Sequence, residues 1–200
     1  MEFTYTSDSI SIENKVLTRL DKFVIDFIKI LNKYCKYVII SGYIPIFFGR
    51  TRGTEDVDVF IEKLDKQKFK NFYMDMMKNN YYFLNPEKEN GLYEMLNEKL
   101  GIRIAIKDTI IPNIELKYIK DEIDEFTIKN RVKITLNKKY NLYISPIEIE
   151  IPYKIYLGSE KDIEDALYLW NIFKEKLDKK LIRRFMKELN VTGEQYGIKI

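Results

Sequence analysis

The chain has 200 residues, enough for one domain with a core of its own. Its single cysteine, Cys35, excludes an intramolecular disulfide framework, and the lack of any histidine excludes a Ser-His-Asp triad, a Cys-His pair and a histidine-based zinc site. With 34 basic against 31 acidic residues the net charge is +3, too balanced for a purely electrostatic nucleic-acid binder, though a local basic face remains open. No apolar run approaches the ~18 residues of a membrane span, and residues 1–13 are too polar for a signal peptide. A cytoplasmic protein with no membrane partner is expected.

In chain order, residues 1–13 alternate weakly through Phe3, Tyr5, Ile10 and Ile12, which predicts an edge strand or an arm. Between Val16 and Leu31 apolar residues recur at intervals of three and four, the signature of an amphipathic helix. Tyr37-Val38-Ile39-Ile40 reads as a buried strand broken by Ser41-Gly42. Residues 43–48 open a short helix with Pro45 in its first turn, 49–53 form a basic loop, and 57–61 form a second buried strand. A helix over 66–79, a strand over 81–84, a helix over 92–100 and an alternating strand over 102–106 follow. Residues 126–136 and 140–144 flank Asn137-Lys138-Lys139 as a hairpin. From Ser145 onward the chain reads as helical, with segments starting near Pro146, Ser159 and Lys179. The order predicts an α+β (α/β) domain over 1–144 and a C-terminal helical bundle over 145–200.

Chemistry concentrates in residues 41–58, Ser41-Gly42 followed by Gly49-Arg50-Thr51-Arg52-Gly53-Thr54-Glu55-Asp56-Val57-Asp58. Residues two apart in a strand share a face, so Asp56 and Asp58 stand side by side at the start of an otherwise apolar strand. Such a pair repels itself, and a hard divalent cation such as Mg²⁺, which takes one or two carboxylates together with substrate phosphates, removes that cost. A solvated strand end is the plain alternative. Ser41 and Gly42 sit at a strand-to-helix turn whose free N–H groups favour phosphate, and Gly42 permits close approach. Arg50 and Arg52 add positive charge just before the acids.

These residues resemble the nucleotidyltransferase superfamily, the polymerase-β-like fold, in which a Gly-Gly or Gly-Ser turn opens a helix and the next strand carries Asp-x-Asp. The wording is similar to a prokaryotic branch that includes archaeal proteins and the AbiEii-like toxins of toxin–antitoxin systems. A second block, Ser145-Pro146 with Lys154 and then Leu157-Gly158-Ser159-Glu160-Lys161-Asp162-Ile163-Glu164-Asp165-Ala166, resembles the family's segment after the catalytic sheet. The resemblance implies a mixed sheet flanked by helices. It implies catalytic and metal-holding roles for Asp56 and Asp58, with Mg²⁺ as cofactor. Nucleotide contacts would come from Ser41, Gly42, Arg50, Thr54, Lys154 and Lys161. The partners implied are a nucleoside triphosphate, an RNA or protein acceptor and a cognate antitoxin.

Elementary chemistry gives parts of the second block other duties. Lys154 is either a point charge for triphosphate or a snorkelling lysine. Ser159 with Asp162 has the spacing of a helix cap, while Asp165 and Lys161 are left facing the cleft. One departure stands out. The superfamily carries a third carboxylate on a later strand, and the phrase Arg103-Ile104-Ala105-Ile106-Lys107 places Ala105 where that acid is expected. Asp108, Glu94, Glu98 and Glu115 are the acids nearby. Without a third acid, the alternative is a catalytically impaired nucleotide- or partner-binding module of the same fold, and beyond it an α/β interaction protein whose acid pair is only surface.

Overall fold

The computed structural model describes residues 2–6 and 9–200; Met1, Ser7 and Asp8, part of the expected N-terminal arm, lie outside the described residues. The arm is a hairpin of β1 (Glu2–Tyr5) and β2 (Ser9–Glu13). Then come α1 (Arg19–Leu31), β3 (Tyr37–Ile39), α2 (Tyr43–Phe47), β4 (Asp56–Ile61), α3 (Lys66–Lys78), β5 (Tyr81–Phe83), α4 (Glu89–Asn97) and β6 (Ile102–Ile106). The chain continues through β7 (Asn113–Tyr118), α5 (Glu122–Lys129), β8 (Val132–Leu136), β9 (Tyr140–Ile144), α6 (Ile147–Leu157), α7 (Glu160–Phe173) and α8 (Lys179–Glu188). No helix among the described residues is long and apolar enough to cross a membrane.

Among the described residues the nine strands form one mixed sheet in the order β1-β2-β8-β9-β3-β4-β7-β6-β5. Helix α1 starts at Arg19 rather than at Val16 because Thr18 closes a capping box with Asp21, which satisfies two N–H groups that the first turn would leave bare. Asp21 then does more than cap. It is buried, accepts a hydrogen bond from the Tyr43 hydroxyl at 2.7 Å and pairs with Lys15 at 2.9 Å, which ties α1 to α2. The C-terminal helices pack on one another, and Phe173 of α7 meets Phe48, at the end of α2, edge to face at 4.8 Å.

Besides the start of α1, the helix expected over 92–100 runs from Glu89 to Asn97, and two larger differences concern α5 and β7. Residues 126–129 belong to α5 and not to the hairpin, whose first strand starts at Val132. Asp121 accepts from the N–H groups of Ile123 and Asp124 at 3.0 Å each, and Glu122, Asp124 and Glu125 load the first turn with the charge its dipole prefers. Strand β7 lies outside the elements that the sequence reading predicts, yet Ile114, Leu116 and Tyr118 alternate with Asn113, Glu115 and Lys117, the pattern of a strand with one buried face.

Candidate functional site

Strand β4 buries Val57, Val59 and Ile61 fully, while Asp56 and Asp58 are half-buried on the opposite face. Its neighbours decide what the acids meet. One edge pairs with β3, antiparallel; the other pairs with β7, parallel, in a register that sets Asp56 against Asn113 and Asp58 against Glu115. Glu115 is therefore the carboxylate beside the acid pair. The Lys117 ammonium lies between them, 3.0 Å from Asp58 Oδ1 and 2.7 Å from Glu115 Oε2. Gly101 leaves room for this arrangement, since a Cβ there would stand 2.9 Å from Glu115 Oε1 and 3.2 Å from Lys117 Cε.

The electrostatics follow from two acids sharing one cation. Burial pushes the Asp58 carboxyl above its ordinary value, and Lys117 only partly offsets it. Burial acts on Glu115 in the same sense, but the hydrogen bond and charge of Lys117 outweigh it and hold that carboxyl below its ordinary value. Against the cost of burial, the two acids hold the Lys117 ammonium above its own ordinary value.

The expectation that Ala105 marks the third acid is corrected here. Ala105 lies on β6, which pairs with β7, so a strand separates it from β4. It shares a row with Asn113 and Asp56, on the sheet face of the acids, but it is fully buried. The residue of β6 that reaches the acids is Arg103, in register with Glu115 and 3.8 Å from its Oε1. Ala105→Asp is therefore expected to bury an unpaired carboxylate and cost about 3 kcal/mol of stability rather than build a site. Urea denaturation of the variant checks this.

The residues grouped as phosphate contacts fall into a different arrangement. Asp165, fully buried on α7, gathers three cations. Arg52 reaches it through Nε at 3.0 Å and Nη2 at 2.7 Å, Lys154 through Nζ at 2.8 Å, and Arg50 through Nη1. Arg50 also pairs with Glu164 and donates to the Lys161 carbonyl at 3.2 Å. Lys154 is 1% exposed, so its ammonium lies inside the fold rather than at a cleft surface. Asp162 stands 3.5 Å from that ammonium; its backbone N–H donates to Ser159, the cap of α7, and its carboxylate accepts from the Ser159 hydroxyl. The network ties the loop that leads into β4 to the C-terminal helices. Lys161 alone of the grouped cations keeps an exposed side chain.

The turn itself is also engaged. Ser41 takes a left-handed backbone with φ +63°, and its N–H donates to Glu150 Oε1 at 3.2 Å. The Gly42 carbonyl accepts from Arg52 Nη2 at 3.1 Å, and a Cβ on Gly42 would stand 2.7 Å from that atom. The glycine thus admits a guanidinium. Thr54 donates to the Asp56 carbonyl at 2.9 Å and sets the start of β4.

Glu150 is a buried acid beside the Ser41 turn that the sequence reading does not single out. Its Oε2 has no partner among the described residues, and a cavity of about 30 Å³, room for one water, lies beside it. Burial raises its carboxyl, and Lys154 and the Ser41 N–H offset this only in part. A carboxyl raised in the folded state favours folding while protonated and loses that contribution as pH climbs above its ordinary 4.5. Glu150→Gln should therefore gain stability relative to wild type between about pH 4 and pH 7. Denaturant titrations at both ends test it; a gap that narrows on going up would mean a well-paired carboxylate.

No protein-family model matches the chain, and no curated protein sequence does. Solved structures do. An antigenic nucleotidyltransferase-like protein from Paracoccidioides brasiliensis is similar over 88% of this chain and 87% of its own, with TM-score 0.52 and 14% identity. The fold is nucleotidyltransferase-like. The antibiotic-resistance factor ANT(2'')-Ia aligns over 88% of this chain and 95% of its own, with TM-score 0.46 and 11% identity. In this nucleotidyltransferase-like fold, the mixed sheet with flanking helices is the architecture that the sequence resemblance implied.

Proposed function

We propose that the chain is a nucleotidyltransferase that moves a nucleoside monophosphate from a nucleoside triphosphate to a hydroxyl of RNA or protein. The observation that carries this reading is Glu115 in register with Asp58 on the parallel neighbour of β4, beside the Asp56-x-Asp58 pair. In the reaction the acceptor oxygen bonds to the α-phosphorus and the bond to pyrophosphate breaks. Glu115, the carboxylate that the pair leaves over, takes the hydroxyl proton. Lys117 offsets the repulsion between Asp58 and Glu115, and Arg103 adds positive charge beside Glu115.

The donor chemistry suits a hard divalent cation, because a pair of carboxylates completed by phosphate oxygens is how Mg²⁺ is commonly held. Asp56 and Asp58 would hold it, and it would neutralise charge on the triphosphate. Among the described residues no three acidic side chains converge tightly enough to hold a metal ion, and Lys117 supplies the positive charge between Asp58 and Glu115. A toxin role with a cognate antitoxin belongs to the same reading and rests on the family resemblance.

One observation favours a second reading, a binding module without transfer. Arg50, Arg52 and Lys154 are all paired with carboxylates, and Lys117 is too. The experiment is thermal unfolding with Mg²⁺ and each nucleoside triphosphate, beside transfer of label from α-labelled nucleotides to RNA and protein. A ligand bound only by the folded state raises the melting temperature. Stabilisation with labelling supports the transferase, stabilisation without labelling supports the binding module, and neither effect refutes both.

A further inference from the structure

A groove between α1 and the β8–β9 hairpin shares no residue with the carboxylate site or the Asp165 network. Its volume is about 390 Å³, within the range of small-ligand sites. Four cations line it, Lys29, Arg131, Lys133 and Lys139, and no carboxylate does. Lys29 has a partner outside the lining, Asp26 at 2.7 Å, whereas Lys133 and Lys139 are exposed and have no ion pair among the described residues. A chain whose overall charge is only +3 therefore carries a local, uncompensated positive surface here.

The cations are interleaved with rings. Arg131 stacks on Tyr143 at 3.9 Å from the ring centroid and is locked there by a 2.8 Å hydrogen bond to the Tyr37 carbonyl. Lys139 and Lys29 stand 5.1 and 5.4 Å from the ring of Tyr140. The hairpin register sets Lys133 directly across from Tyr143, so these two share one face, while Tyr140, across from Leu136 on the other face, lines the groove at the end of the hairpin. An acidic peptide would need only the charges. Ammonium groups for phosphates alternating with tyrosine and guanidinium planes for bases suit an unpaired nucleic-acid strand.

We propose that this groove binds single-stranded nucleic acid, with Lys133 and Lys139 on phosphates and Tyr140 and the Arg131–Tyr143 stack on bases. The proposal goes beyond the transferase reading and does not depend on it. The test is fluorescence anisotropy of a labelled uridine strand of about twelve nucleotides, a length in the range such sites cover, over a series of salt concentrations. Wild type is expected to bind. Lys133→Glu with Lys139→Glu, both exposed and safe for folding, should weaken binding at least about tenfold and lower the salt slope by about 1.4, two phosphate contacts' worth. Tyr140→Ala should lose about tenfold and Tyr140→Phe should keep binding, because stacking needs the ring and not the hydroxyl. The groove variants should keep any nucleotide-dependent stabilisation, so loss of strand binding and failure of the transferase reading are read separately. No binding by wild type, an unchanged affinity and salt slope in the double lysine variant, or equally tight binding of polyglutamate would overturn the proposal.

Discussion

Asp165→Ala is expected to lower the unfolding free energy by about 3–5 kcal/mol, the range for removing one partner from a buried ion cluster. The residue is fully buried and accepts from Arg50, Arg52 and Lys154 together. Without it the ion pairs left among the described residues are Arg50 with Glu164 and Lys154 with Asp162, Arg52 has none, and Lys154, 1% exposed, has nowhere to hydrate. In a chain of this length the loss corresponds to a fall in melting temperature on the order of 10 °C. Lys154→Met in the same background should recover part of it, since a neutral side chain of similar length fills the space without a charge to bury. Lys161→Ala, on the exposed side of the same helix, should change stability by less than about 0.5 kcal/mol. Calorimetric unfolding of the four proteins decides; an Asp165→Ala protein as stable as wild type would mean that the cluster is not an energetic unit.

Glu115→Gln is expected to lower nucleotidyl transfer by about 10²–10⁴-fold, the usual worth of a general base, while leaving the fold intact because Glu115 is only half-buried. Asp58→Asn should abolish both transfer and the stabilisation by Mg²⁺ with triphosphate, which at ligand a hundredfold above its dissociation constant is worth about 2.7 kcal/mol. The other acids near the expected third position give the contrast. Glu94, Glu98 and Asp108 are exposed and lie off β4 and β7, so their amide variants should transfer at the wild-type rate. Labelling kinetics with α-labelled nucleotide across this series assigns the third acid. Full activity in Glu115→Gln would show that the register on the sheet does not mark the chemistry.

What was legible in the sequence is local. Asp56 and Asp58 alternate with Val57 and Val59, and that alternation alone places both acids on one face of a strand whose other face is core. Ser159 three residues before Asp162 spells the cap of α7, and the turn at 137–139 marks the β8–β9 hairpin. Strand β7 was equally legible from its alternation. The family resemblance at 103–107 points to Ala105, whereas the alternation at 113–118 places Glu115 on the face opposite the buried Ile114 and Leu116.

The sequence by itself determined the helices and strands that bear the chemistry, because a repeat of two or of about 3.6 residues is written in consecutive positions. Tertiary structure alone decided which strand lies beside β4. A strand presents the same hydrogen-bonding edge to any partner, so nothing in the residues of β4 selects β7 over β6. That choice brings Glu115 and Lys117 to Asp58 across 59 positions of chain for the lysine, and leaves Ala105 a strand away. The fate of Arg50 and Lys154 was decided in the same way. Each is a free cation as a letter in the sequence, and each became part of a buried network only when Asp165, 115 positions beyond Arg50, was packed between them. Burial makes such a pairing necessary, since an ammonium removed from water is tolerated only beside a compensating charge.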